Sequence, residues 1–438
     1  MKKYLVSVLY VIVILIAASA QEVSGKQEIA VFSLSYSDWS TPSGALGIVD
    51  QQIIEVLSNI GRFNVRGLDL RLKAEDVAEF TSMVRDVNEA NLVIDDKYRL
   101  GEAVFTEAVF EELVGSFIIV IPSLTHYDSL VEAVDSGALW QVELQTSFSF
   151  VLVKDSSTIA QFSINTYGSG DTQRAATLDA AAAISGQLQF ELKKIDQFRL
   201  KSGIIEVLPR GRVIIELGEE MGVVKGDEFS IVTTETLESG HVIQNNSGLL
   251  VVSDVKQDVS FGKILYNDGV PEPGAQLAEV PRLGTELSLY GNLLFDIDYL
   301  DLCGGIVGVK SVFSRGFYDF RPIAGIEIPF VDEATDSTWP GIPVSIYGGG
   351  ELLWYFGRFQ IEPSLALGVT GLIPVDEYDV FDVTHFGGRL ELALNWMASD
   401  NFKIFLNGGY TYWWAPTAST TVSSYGGIFG GLGGTFKL

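Results

Sequence analysis

The sequence predicts an α+β multidomain chain that ends in an eight-stranded antiparallel transmembrane β-barrel. Three observations carry that expectation. Over about the last 150 residues, apolar side chains alternate with polar or small ones in eight segments. A strand with lipid outside and a polar interior must alternate in this way over roughly 9–11 residues. The chain also opens on an export signal, yet no later run offers the roughly 18 uninterrupted apolar residues of a spanning helix. Finally, 45 glycines and 11% aromatic residues suit a membrane wall built of strands, with aromatic side chains gathered at the two interfaces.

Residues 1–20 read as a cleavable signal peptide. Met1-Lys2-Lys3 is the charged start, Tyr4 to Ile16 the apolar run, and Ala18-Ser19-Ala20 the small-residue cleavage site, so Gln21 is expected to begin the mature chain. No Cys follows the small residues, so a lipid anchor is not expected there. The remainder is long enough for two or three domains of about 100–150 residues. A formal charge of -27 argues against nucleic acid, which needs a basic footprint. The single cysteine, Cys303, excludes an intramolecular disulfide framework and a Cys-based zinc site, and is expected to be a small wall residue.

Residues 27–200 read as a periplasmic α/β domain. Glu28 to Leu34 is a short strand, Gly44 to Ile60 carries Leu46, Val49, Ile53, Ile54, Val56 and Leu57 at helical spacing, and Phe63 to Leu72 alternates. A helix over Ala74 to Val84 and a buried strand over Ser116 to Ile121 follow. Gln141 to Lys154 and Thr158 to Tyr167 form a hairpin turning at Asp155-Ser156-Ser157, and Thr172 to Lys194 is a long helix with Ala181 to Ala183 small enough to lie against a sheet. Ile29-Ala30-Val31-Phe32, the step Gly61-Arg62-Phe63-Asn64-Val65, and the Val151-to-Gln161 hairpin before an Ala-rich helix resemble the periplasmic domains of the curli secretion lipoprotein CsgG, the N-terminal part of TolB and related envelope lipoproteins. Unlike CsgG, the chain has no pair of inserted membrane-crossing hairpins, so the resemblance does not imply a curli-type pore.

Residues 201–280 are β-rich and punctuated by glycine. Gly203 to Val207, Arg212 to Gly218, Gly222 to Asp227, Val252 to Val255 and Ser260 to Ile264 resemble the small C-terminal barrel of flagellar assembly protein T. The resemblance implies a compact barrel of five or six strands, with a tight corner at Gly226-Asp227, that binds or spaces and does not catalyse. Pro271 to Pro281 is expected to be a linker.

The eight strands of the 285–438 barrel are expected near 285–299, 302–313, 317–331, 342–356, 359–373, 383–397, 401–414 and 425–438. In the first, Leu287, Leu289, Leu293, Phe295, Ile297 and Tyr299 oppose Glu286, Ser288, Tyr290, Asn292, Asp296 and Asp298. In the sixth, Phe386, Leu390, Leu392, Leu394 and Trp396 oppose Arg389, Glu391 and Asn395, and in the seventh Phe402, Ile404, Leu406, Tyr410, Tyr412 and Trp414 oppose Lys403, Asn407 and Thr411. The links near Arg315, Gly357 and Asp400 are tight, whereas Asp332–Pro340, Pro374–Asp382 and Pro416–Ser424 are longer; periplasmic turns and outer loops differ in this sense. Trp339, Trp354, Trp396, Trp413 and Trp414 are expected in the interfacial girdles, and Trp39 and Trp140 in the α/β core. The end of the chain, Gly433, Phe436 and Leu438, resembles the outer-membrane barrel assembly signal, with Leu where the terminal aromatic is usual. The resemblance implies outer-membrane lipid and the barrel assembly machinery as partners.

Inward positions include Glu286, Asp296, Asp298, Lys310, Arg321, Glu327, Glu351, Glu362, Arg389, Glu391 and Lys403. Eight strands leave an interior only wide enough to be filled by side chains, and buried charges need partners, so a packed lumen of ion pairs is expected. The sharper alternative is a gate in which Glu351 trades partners between Arg321 and Arg389. Asp332, Glu333 and Asp336, and Asp376, Glu377, Asp379 and Asp382, could offer calcium their carboxylate oxygens but lack EF-hand spacing. His126, His241 and His385 have no metal-ligand spacing and are expected on the surface or in the wall. No Gly-x-Ser-x-Gly elbow or Cys/His pair is present, and the Gly426–Gly434 run lies in a strand with no helix after it.

The chain is therefore expected to be non-enzymatic, without cofactor or metal: an outer-membrane barrel anchoring periplasmic modules that bind and organise a periplasmic protein partner of the envelope. The alternatives are a narrow gated channel and a periplasmic regulator of an envelope enzyme. Deleting Phe436 to Leu438 is expected to lower insertion into the outer membrane and expose the protein to periplasmic proteolysis, measured by membrane fractionation. Unchanged insertion would count against the assembly signal.

Overall fold

The computed structural model describes residues 23–36, 42–72, 76–90, 98–100, 103–105, 116–134, 137–237, 239, 242–296, 301–331, 341–374, 382–416 and 423–438. By contact the chain forms two compact units: Val23–Lys201 with Leu217–Val223, and Ser202–Glu216 with Val224–Leu438.

The first unit contains β1 (Gln27–Ser33), β2 (Ser35–Tyr36), α1 (Ser43–Asn59), β3 (Phe63–Arg71), α2 (Val77–Ala90), β4 (Tyr98–Leu100), β5 (Ala103–Phe105), β6 (Ile118–Val134), β7 (Gly137–Leu152), β8 (Ser157–Gly170), α3 (Gln173–Ala182) and α4 (Ile184–Lys194). The sheet order is β3-β1-β6-β7-β8, with β2 on β6. β1 runs parallel to β3 and β6, and β6, β7 and β8 are antiparallel. Successive side chains of a strand point to opposite faces. Ile29 and Val31 accordingly join Val49 and Ile53 of α1 and Ala180 and Leu188 of α3 and α4, while Ala30 and Phe32 meet Phe80 and Val84 of α2. A strand covered on both faces has to be apolar throughout, as the Ile-Ala-Val-Phe run of β1 is.

Three elements differ from expectation. The strand expected over Ser116 to Ile121 continues to Val134, pairing with β7 down to Val134↔Gly137. Pro122 does not end it, because that residue falls between the stretches paired to β1 and to β2, where no neighbour on that edge asks for an N–H. The second helix starts at Val77, and residues 73–75 lie outside the described chain. The long helix over Thr172 to Lys194 is two, divided at Ala183, whose N–H points to both Asp179 and Ala181 while its backbone stays helical. Thr172 caps α3 by accepting a 3.1 Å hydrogen bond from the Ala175 N–H. The helix lies directly on β8: a Cβ at Gly168 would stand 2.1 Å from the Ala180 nitrogen.

The second unit holds two closed barrels. β9 (Lys201–Leu208), β10 (Arg212–Ile215), β11 (Glu228–Thr236), β12 (Val242–Val255), β13 (Ser260–Asn267) and β14 (Gln276–Val280) close in the order β10-β13-β12-β11-β14-β9. The expected linker over Pro271 to Pro281 is thus corrected, since Gln276–Val280 pairs with β11 and is the strand that completes the ring. Its Leu277 and Glu279 point inward. Gly226 turns the expected corner with φ +84°.

The larger barrel comprises β15 (Thr285–Phe295), β16 (Leu302–Phe313), β17 (Phe320–Val331), β18 (Gly341–Leu352) with its short continuation β19 (Trp354–Phe356), β20 (Phe359–Pro374), β21 (Asp382–Met397), β22 (Phe402–Trp414) and β23 (Ser424–Lys437). Neighbours pair antiparallel in chain order, β15 closes on β23, and the sheet is continuous across β18 and β20. The outward residues form an apolar belt, among them Leu289, Leu293, Leu367, Leu390, Leu406 and Leu432. Trp354, Trp396 and Trp414 are exposed on it, but Trp413 is fully buried, which corrects its assignment to the girdle. The strand period of two requires this once Trp414 faces out. Trp339 lies outside the described residues, as does Trp39; Trp140 is half-buried.

Replacing Gly168 by Val is expected to force α3 off the sheet and cost about 1–3 kcal/mol. Chemical unfolding followed by tryptophan fluorescence checks this, and an unshifted first transition would refute the close contact.

Candidate functional site

The interior of the eight-stranded barrel collects the charged residues picked out by the alternation. Glu286, Lys310, Arg321, Glu327, Glu351, Glu362, Arg389, Glu391 and Lys403 are all buried. Seven of the eight strands deliver one or two of them, and β23 none, because the apolar outward set fixes which parity of each strand faces inward. Near the end of the barrel that carries Thr285 and Leu438, Arg321 binds Glu286 at 3.2 Å, Glu362 at 3.0 Å, and Glu351. Lys403 joins Glu286 at 2.6 Å and Glu362 at 3.7 Å. Lys310 then bridges Glu351 and Glu391, at 3.3 Å to each. Further along, Arg389 holds Glu327 at 2.5 Å and also Glu391, which accepts from Asn407 at 3.1 Å.

Aromatic side chains take over beyond the charges. The Tyr290 hydroxyl donates to Glu327 at 3.0 Å, and the Arg389 guanidinium stacks over the rings of Tyr290, Tyr347 and Phe429. Two glycines make room for the tyrosines: a Cβ at Gly308 would lie 2.4 Å from the Tyr290 ring, and one at Gly325 would lie 2.3 Å from the Tyr347 ring. At the end with the longer links, Ser345 and Thr370 bond the Tyr425 hydroxyl at 2.9 and 2.5 Å, and Trp413 stacks on the Tyr425 ring. His385, on the wall strand β21, is there too, its side chain fully buried and bonded to Thr384 at 2.8 Å.

The mouth at the Thr285 end is occupied by the six-stranded barrel. Leu249, Val251 and Leu265 of that barrel pack with Met397, Tyr318 and Tyr355 of the turns around the mouth. Arg282 donates to Glu228 at 3.0 Å, to Asn401 Oδ1 at 2.7 Å and to the Asp400 carbonyl at 2.7 Å, and Lys437 also pairs with Glu228. Tyr266 donates to the Asp400 side chain, whose burial pushes that carboxyl above its ordinary value, and Arg358 lies 3.6 Å from the Tyr266 ring centroid.

Of the two partners that the alternative gate would exchange, Glu351 takes Arg321, with Lys310 beside it, while Arg389 takes Glu327 and Glu391 and is joined to Glu351 through the Lys310–Glu391 bridge. Asp296 lies just past the end of β15, half-buried and far along the strand from Glu286; Asp298 lies outside the described residues, as do His241 and the side chains of both proposed calcium clusters. Cys303 is partly buried against the Tyr290 and Phe405 cluster, and His126 is exposed. Among the described residues no group of three His, Cys, Asp or Glu side chains could hold a metal ion. At the chain end Phe436 faces outward against Phe402, Leu438 is exposed beside it, and Gly433 faces inward, where a Cβ would lie 2.4 Å from the Phe405 ring. Sequence reasoning missed the aromatic filling by Phe405, Trp413, Tyr425 and Phe429, although their parity with Lys403 and Thr411 or with Thr435 carried the signal. The mouth contacts had no local signal, since Glu228 and Lys437 are 209 residues apart.

No family model matches the chain. A search of curated proteins gives no match either. Solved structures similar to it include the surface protein NspA of Neisseria (13% identity, 35% of this chain and 97% of that chain, TM-score 0.27) and outer membrane protein H, OprH, of P. aeruginosa (14%, 35% and 99%, TM-score 0.25). The hypothetical protein CT253 of Chlamydia trachomatis is another, at 12% identity over 38% of this chain and 93% of that one, with a TM-score of 0.24. The barrel stands on its own strand pairing and apolar exterior, not on likenesses of this size.

Replacing Arg389 by Met leaves Glu327 and Glu391 without their guanidinium and is expected to cost about 3–5 kcal/mol. The compact gel band should convert to the extended one at a lower temperature, and adding Glu327→Gln should recover part of the loss. An unchanged conversion temperature would refute the pairing.

Proposed function

We propose that this protein is an outer-membrane anchor: the eight-stranded barrel spans the membrane of a diderm bacterium, and the remaining modules, in the periplasm, bind and organise an envelope protein partner. The observation that carries the proposal is the combination of an apolar exterior with an interior that, among the described residues, is packed with buried charged and aromatic side chains. Charge pairs lie in the lumen near the chain ends, aromatic side chains lie beyond them, and the six-stranded barrel sits on the mouth. An anchor needs the apolar belt and gains rigidity from such a filling. A channel needs room for water and ions, and eight strands leave little.

The orientation follows from the links. The tight turns at Ser314 to Asp319, Gly357-Arg358 and Ala398 to Asn401 lie at the end with both chain termini of the barrel, the periplasmic end in the usual arrangement. The six-stranded barrel then lies on the periplasmic side. Its fixation by Arg282, Glu228 and Lys437 suits a rigid base from which a partner is presented, with no catalytic group required.

Two measurements test the proposal. The full chain isolated from outer membranes should migrate as a compact band that shifts on boiling; absence of that band, with the protein in the soluble fraction, would refute the anchor. In planar bilayers the full chain should give no conductance steps. Reproducible steps would instead establish the gated channel.

A further inference from the structure

We propose that the uncovered face of the ribbon formed by the outer parts of β6, β7 and β8 docks an extended, cationic segment of a protein partner. The proposal deepens the anchor reading and rests on it for where the partner is found.

Among the described residues β6 has no neighbour on its free side beyond Leu124, and β6, β7 and β8 continue as a three-stranded ribbon. The register Asp128↔Glu143, Leu130↔Gln141 and Glu132↔Leu139, with Glu143↔Tyr167, sets these side chains on one face. The opposite face is closed: Tyr127, Val142 and Leu144 are buried with Ala176 and Ala180 of α3. On the bare face, the core around Phe80 reaches only as far as Ile121 on β6 and Val151 on β7. Leu130 is 60% exposed and Tyr167 64% exposed. With Leu139 they line a hollow of about 490 Å³ whose polar wall is Asp128, Gln141 and Glu143.

The charge on this face is of one sign. Glu143 accepts from the Tyr167 hydroxyl at 3.1 Å and Glu132 from Gln141 at 3.3 Å, yet among the described residues neither these nor Asp128 has a Lys or Arg partner. Elsewhere in the unit, Glu28, Glu191 and Asp196 do have one. A second copy of a chain with net charge -27 would bring more negative charge to the face. The complement is an extended segment that lays apolar side chains on Leu130, Leu139 and Tyr167 and reaches the carboxylates with Lys or Arg. The Tyr167 ring adds a cation–π surface. Alternation along an extended segment puts its apolar and basic side chains at the spacing the pleat requires.

The test uses the full chain in phosphatidylcholine nanodiscs and a fluorescent twelve-residue peptide of alternating lysine and valine, with empty nanodiscs as the reference and a glutamate–valine peptide as the charge reversal. The lysine peptide should bind and the glutamate peptide should not. Asp128→Asn with Glu143→Gln should weaken binding by about fivefold or more. Leu130→Ser, which keeps the charge, should weaken it by about threefold. Asp258→Asn with Glu272→Gln, an equal charge change on exposed residues of the six-stranded barrel, should leave it unchanged. Equal losses in the two charge pairs, no effect of Leu130→Ser, or no binding above the empty nanodisc would each overturn the proposal. Boiling shifts on the same samples separate the two readings: a compact band without peptide binding overturns the docking face alone, and a missing band overturns the anchor.

Discussion

A bilayer offers the backbone no hydrogen-bond partners, so a sheet that crosses it must leave no open edge. That constraint is met where β15 pairs with β23 and β18 with β20. Much else follows from it. Eight strands set the bore, the bore is the width of a few side chains, and whatever points inward must pack and be satisfied there. The outward set is fixed by lipid, and the period of two then dictates which residues are inside.

The interior is consequently a mixture of two solutions. Near the chain ends it is ionic, with five glutamates shared among Lys310, Arg321, Arg389 and Lys403. Such groups cost several kcal/mol each to remove from water and are kept only when each has partners in good geometry. Toward the other end it is aromatic, where stacking and hydroxyl contacts fill space without that cost. Arg389 joins the two regimes, pairing with carboxylates on one side and lying over Tyr290, Tyr347 and Phe429 on the other. Buried pairs are poor sources of net stability but strongly penalise misregister, since a slip of one residue would turn every charge toward lipid.

The six-stranded barrel extends the same principle to the mouth. Polar turn residues that would otherwise face water are tied to it through Arg282 and Glu228, and a small apolar cluster around Met397 lies beneath. The wall and its base therefore form one compact unit. The α/β unit solves a different problem, covering both faces of a five-strand order with helices over its inner part, while among the described residues nothing packs on one side of the outer ribbon.

The strands of the eight-stranded barrel were legible in the sequence to within a few residues, because lipid and lumen impose opposite demands on alternate positions and the glycine and proline links punctuate them. Glu286, Arg321, Glu351 and Lys403 could be named as interior for the same reason. Local pattern also gave the strand and helix order around Ile29 to Arg71. What it could not reveal is who meets whom. That Glu351 pairs with Lys310 and not Arg389, that Gln276–Val280 closes a ring instead of linking domains, and that Glu228 reaches Lys437 depend on how the strands stagger around each barrel. Periodicity fixes the side a residue faces, but its height along the lumen and its partner across it are set by closure, which only the tertiary structure decides.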